Sequence, residues 1–244
     1  MDINLIEIWG HMGLPVRGVV VFLTLQAIAC VAVIIDRLLM LSISRARTRK
    51  FVGQASAQSN GMDSERLLKL ANETQGSHLA GFLAKGLESY NELKRKGHGP
   101  ERAAELTRRA LERKTEPLSR DLNKFMNVLA STGSTAPFVG LLGTVLGIMH
   151  AFKLIAGGGG GGIATIGPAI AEALIVTGYG LTVAIPVVLV FNWISGKLAG
   201  YEGDILNAAG DLIDRLELGG DVFGKAQDSA RDEPATVLTT SPTT

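Results

Sequence analysis

The chain has one cysteine, Cys30, so no disulfide can form within it. Its four histidines, His11, His78, His98 and His150, stand far apart. No Cys/His spacing of a structural metal site occurs, and neither a metal nor a cofactor is expected. Neither sign of charge dominates, with 24 Lys and Arg against 23 Asp and Glu. The formal net charge is +1, which gives a nucleic-acid partner no global attraction. Gly157–Gly162 is a run of six glycines, but no Gly-Lys-Ser/Thr follows, so it is not a phosphate loop. Catalytic triads and converging acid–base pairs are also missing, which disfavours a hydrolytic enzyme.

What is present is apolar. Hydrophobic residues make up 46% of 244, while charged residues still reach 19%. Those two populations must be segregated into lipid-facing and water-facing parts. Three apolar runs stand out: Gly18–Ile35, about Val128–Ile155 and about Ala169–Ile194. The first, as a helix, rises about 27 Å, close to the hydrocarbon thickness of a bilayer. It is too long for a cleavable leader. An all-α membrane protein with three spans is expected, its termini in opposite compartments.

Basic residues set the orientation. Arg37, Arg45, Arg47, Arg49 and Lys50 follow the first run; Arg113, Lys114, Arg120 and Lys124 precede the second; Lys197 follows the third. Residues 44–126 hold 17 Lys and Arg against 10 Asp and Glu. The expected plan is an outer N-terminal segment (1–15), a first transmembrane helix (16–43), a cytoplasmic helical domain (44–126) and a second transmembrane helix (127–155). A Gly-rich outer turn (156–167), a third transmembrane helix (168–194), a cytoplasmic helical extension (195–218) and a disordered tail (219–244) complete it. Helices are predicted over 64–96 and 100–126, split by GHGP at 97–100. Pro100 suits the first turn of the second, and Asp63 or Ser64 the cap of the first. Pro186 is expected to kink the third span.

Three constellations could carry function. Gly133, Ala136, Gly140, Gly143, Gly147 and Ala151 fall on one face of the second span. Small residues let helices approach closely in lipid, either within one chain or along a seam between subunits. Thr144 lies beside that stripe, and Thr177 shares a face of the third span with Ala173, Gly180 and Ala184. Each threonine either bonds back to its own helix or lines a narrow polar path. Glu172 is the single carboxylate inside the apolar runs. A charge at such a place makes ion movement the first functional hypothesis. It lies about 140° round the helix from Thr177. Glu172 therefore sits at the mouth of a path, pairs with Lys153, Arg17 or a neighbouring subunit, or is a structural carboxylate near the interface. A hydroxyl does not titrate near neutral pH, so a moving proton needs a carboxylate.

LASTGSTAPFVGLLGTVLGIMHAF (129–152) and IGPAIAEALIVTGYGLTVAIPVVLVFN (166–192) strongly resemble the two signature spans of the MotA/TolQ/ExbB proton-channel family. Asp36-Arg37 resembles that family's acidic–Arg pair. The resemblance implies an inner-membrane subunit that forms a homo-oligomeric ring, usually a pentamer, around a single-span partner dimer of the ExbD/TolR type. A partner aspartate would carry the proton, Thr144 and Thr177 would face it, and Glu172 would be the third-span glutamate. The flow would drive TonB-type import, Tol-type envelope maintenance or gliding motility. Tyr179 and Thr182 depart from the smaller or apolar residues usual there. A non-conducting membrane scaffold is the alternative. A substrate transporter fits poorly, since it needs more spans and an internal repeat.

Overall fold

A computed structural model describes residues 9, 12–57, 63–74, 76–157 and 162–218. Expectations for the segment 1–15, the glycine run 157–162 and the tail 219–244 fall wholly or mainly outside those residues. The described residues form helices and contain no strand. The helices are α1 (Leu14–Ala57), α2 (Ser64–Glu73), α3 (His78–Arg95), α4 (Pro100–Leu122), α5 (Met126–Ala156) and α6 (Ile163–Glu217). Three of them, α1, α5 and α6, are long and apolar enough to cross a membrane.

Local chemistry sets the helix ends. Arg17 N donates to Gly13 O, and Pro15 occupies the first turn of α1, where its missing N–H costs nothing. Asp63 caps α2 through Ser64 N at 2.7 Å. The helix expected over 64–96 is two helices. Gly76 sits at φ +81°, a conformation open to glycine, and Ser77 Oγ accepts from Ala80 N to start α3. At the end of α3, Gly97 at φ +86° bonds Lys94 O and His98 N bonds Leu93 O. That pair is a Schellman closure, with Lys94 and Arg95 set favourably against the helix dipole. Pro100 opens α4 as the sequence predicts.

The helix expected over 100–126 stops at Leu122. Phe125, at φ +64°, turns the chain before α5. Helix α6, which contains the third apolar run, begins at Ile163 and runs on through Pro168 and Pro186 to Glu217.

The described chain divides into two compact units. One takes residues up to Ser42 with Pro117–Gly203; the other takes Ile43–Glu116 with residues from Asp204 onward. The first is the bundle of the apolar lengths of α1, α5 and α6. Val16, Val19, Leu23, Ala136, Val176, Val183 and Ala184 form its main core, and Cys30, Leu129 and Val187 form a smaller one. Large apolar side chains also point outward, among them Leu25, Phe138, Leu174 and Leu189. Water would penalise that surface; lipid or other helices would not.

The second unit packs α2, α3, α4 and the ends of α1 and α6. Leu67, Ala80, Leu87, Ala103, Ala104 and Ile205 are buried in it. Polar bonds fix its register: Ser44 Oγ to His78 Nδ1 at 2.8 Å, Ser64 Oγ to Asn91 Oδ1 at 2.8 Å, and Tyr90 OH to Leu216 O at 3.1 Å. Burial, and secondarily the charge of Asp63, pushes the Tyr90 phenol above its usual range.

Candidate functional site: the α5–α6 edge of the membrane bundle

The glycines of α5 bring its backbone against α6 of the same chain. A Cβ on Gly140 would lie 3.2 Å from Thr177 Cα and 3.3 Å from Gly180 Cα. One on Gly143 would meet Val176 Cγ1 at 2.5 Å, one on Gly147 the Ala173 Cβ at 2.6 Å, and one on Gly133 Val188 Cγ2 at 2.5 Å. Ala136 is fully buried, and its carbonyl oxygen would stand 2.7 Å from a Cβ on Gly180. Such close approach is what small residues permit between helices in lipid.

That approach positions the threonines. Thr177 Oγ1 donates to Gly140 O across the seam, at 2.8 Å, and not to its own helix. Thr144 Oγ1 donates backwards within α5 to Leu141 O at 2.6 Å. Gly140 precedes Thr144 by one helical turn, so the two threonines stand about one turn apart along the same edge. Both are half-buried. Each hydroxyl has its proton engaged and keeps lone pairs that can accept.

Glu172 lies elsewhere. It is seven residues before Tyr179, hence nearly on the same helix face, and Tyr179 OH meets Thr24 Oγ1 of α1 at 3.0 Å. Glu172 is therefore on the α1 side of α6, and Thr177 on the α5 side. It is half-buried and makes no hydrogen bond or ion pair among the described residues. Pairing with Lys153 or Arg17 within the chain is thus not found there; Lys153 is exposed.

Several polar residues of the bundle gave little sequence signal. Thr24 bonds Val20 O at 2.8 Å as well as Tyr179, and Gln26 Nε2 reaches Thr135 Oγ1 at 3.4 Å. Their signal was simply polarity inside an otherwise apolar run. Asp36-Arg37 acquires a definite setting. Arg37 is buried, is held by the Asp36 carboxylate, and donates to Asp121 O at 3.2 Å and Leu122 O at 3.3 Å. These are among the last carbonyls of α4, where Asp121 O also accepts from Lys124 N at 3.3 Å, and a cation there meets the negative end of the helix dipole.

A family model described as the MotA/TolQ/ExbB proton channel family matches residues 75–205, just over half of the chain, and that segment contains Thr144, Glu172 and Thr177. The chain belongs to the MotA/TolQ/ExbB proton channel family. Relatives agree with this placement. The Tol-Pal system protein TolQ of Haemophilus influenzae is 31% identical over 232 residues, covering 92% of this chain and 98% of that protein. The biopolymer transport protein ExbB of Salmonella typhimurium is 30% identical over 220 residues, 85% of each chain. A biopolymer transport protein ExbB of Pseudomonas putida is 43% identical over 103 residues, which span 42% of this chain and 31% of that protein. In this MotA/TolQ/ExbB member, the α5–α6 seam brings small and hydroxyl residues of the bundle together.

Proposed function

We propose that the chain is a proton-motive-force-driven stator subunit of the inner membrane. It forms a homo-oligomeric ring, a pentamer, with the N-terminus periplasmic and the C-terminus cytoplasmic. A single-span dimer of the ExbD/TolR type stands inside the ring. The α5–α6 edge faces that dimer, and Thr144 and Thr177 border the proton path. Proton flow turns the partner and performs work in the envelope, in TonB-type import, Tol-type envelope maintenance or gliding motility.

One observation carries this reading: the two threonines share an edge from which Glu172 is turned away. Hydroxyls can hand on a hydrogen bond but cannot hold a titrating proton at neutral pH. A path along this edge therefore takes its carboxylate from the partner. Glu172, on the α1 side, serves at the mouth or toward a neighbouring subunit. The basic residues at 45–50 support the orientation, since cytoplasmic flanks are rich in Lys and Arg.

The bond from Thr177 to Gly140 O favours a second reading, a non-conducting scaffold in which the hydroxyl only locks two helices. The test is envelope-motor function in cells carrying Thr144→Ala, Thr177→Ala or Glu172→Gln, with subunit levels and assembly measured beside it. A stator loses work while the ring still assembles. Normal work in all three variants supports the scaffold.

A further inference from the structure

The second unit holds an apolar groove between the far ends of α1 and α6. Phe51, Leu67 and Leu83 are buried in its floor, and Val52, 49% exposed, forms one lip. The cavity measures about 260 Å³. That is below the roughly 300–1,000 Å³ of sites for small organic ligands, and it suits one or two side chains. Charge in its lining is confined to Asp211 and Arg215 of α6, both exposed.

The α6 wall of the groove is Ala208, Asp211, Leu212 and Arg215, a spacing that defines one helix face. The next positions on that face are 218 and 219. Helix α6 ends at Glu217, and Leu218 is 85% exposed. The chain therefore leaves α6 on the side where the groove lies. The sequence that follows is Gly219-Gly220-Asp221-Val222-Phe223-Gly224-Lys225. Two glycines supply the freedom for a reversal. Val222 and Phe223 are the first large apolar residues after it.

The reach is sufficient. Leu212 lies six residues before Leu218, about 9 Å along the helix axis. After a turn over the two glycines, Asp221 to Phe223 can return about 10 Å in extended form. The charges match in order as well. In a segment running antiparallel to α6, Asp221 comes first and meets Arg215, and Lys225 comes later and meets Asp211. Asp211 makes no hydrogen bond or ion pair among the described residues.

We infer that residues 221–225 fold back along α6 and dock in this groove of their own chain. The Phe223 ring lies against Leu212 and the apolar floor, and Asp221 and Lys225 pair with Arg215 and Asp211. The ion pairs set the direction of the segment and contribute little affinity, since they stay exposed. Burial of the Phe223 ring carries the docking equilibrium, by a factor of about ten or more. The contact stands independently of the ring proposed above. It departs from the expectation of a disordered tail for these five residues only.

The test is the rate at which a maleimide alkylates Val52→Cys in the full chain, in its native membranes and in a Cys30→Ala background, read by mass. Phe223→Ser should speed labelling about tenfold, because the segment no longer covers the lip. Asp211→Lys should speed it by a smaller factor, and adding Lys225→Asp should restore protection. Gln54→Cys, exposed two residues along α1 and outside the groove, is the control and should label at one rate throughout. Equal rates at Val52→Cys with and without Phe223→Ser overturn the fold-back, as does an equal acceleration at Gln54→Cys. Protection of a Phe223→Ser chain by co-expressed chains with intact tails also overturns it, since the segment then occupies the groove of a second copy.

Discussion

Gly180→Ala should loosen the membrane bundle although it adds one methyl group to a helix. Alanine is normally the better helix former by about 1 kcal/mol. Here the added Cβ would stand 2.7 Å from Ala136 O and 3.1 Å from Gly140 Cα, both backbone, with no flexible side chain to give way. The first contact is roughly 0.7 Å inside ordinary van der Waals distance, so α5 and α6 must part. Overpacking of this kind costs about 1–3 kcal/mol. Parting also stretches the bond from Thr177 to Gly140 O, and a hydrogen bond between membrane helices contributes roughly 0.6 kcal/mol more. Gly18→Ala is the control, because a Cβ there meets nothing within 4 Å. Thermal unfolding in detergent, followed by circular dichroism, should show a clear drop in Tm for Gly180→Ala and none for Gly18→Ala. Equal stability of the two variants would refute the close-approach argument.

Arg37→Met should destabilise by about 1.5–3 kcal/mol per lost charge-assisted bond, offset by the apolar replacement; hydrogen exchange at residues 121–126 should quicken, and Arg37→Lys should restore little, because it lacks the fork. Gly76→Ala should destabilise the second unit more than Gly97→Ala. Both sit at positive φ, but a Cβ at Gly76 would also collide with the Arg47 guanidinium, whereas one at Gly97 meets nothing; urea unfolding of both variants checks the order. The raised Tyr90 phenol gives a pH signature. A folded-state pKa above the unfolded value favours the protonated phenol, so its contribution is complete below about pH 10 and is lost as pH rises through the folded value. Tyr90→Phe should lower stability near neutrality, through loss of the bond to Leu216 O, and flatten the alkaline decline in a melting series.

The spans were legible because their signal is collective. Apolar runs of this length have few uses, and basic flanks give a direction. The small stripe on α5 was equally plain at 3–4 spacing, but periodicity could not say what it faces; Val176, Thr177 and Gly180 across the seam answer that within the chain. The break at Gly76 escaped because Leu67, Ala71, Ala80 and Leu87 keep a helical rhythm on both sides of it, and only a positive φ and the Ser77 cap mark it. Glu172 could be placed off the Thr177 axis by counting residues. Its neighbours could not, since they depend on the register of α1 against α6. Gln26 and Thr135 were passed over for the same reason: they are 109 residues apart, and polarity in one helix says nothing of its partner in another.

The most direct test of the central claim is proton flux through the assembled complex, co-purified with its single-span partner and reconstituted into vesicles under an imposed potential. The account predicts that the wild-type complex acidifies the vesicle interior. Thr144→Ala and Thr177→Val should assemble to the same mass and lose most of that flux. Undiminished flux in both variants, or no flux from the intact wild-type ring, would contradict it.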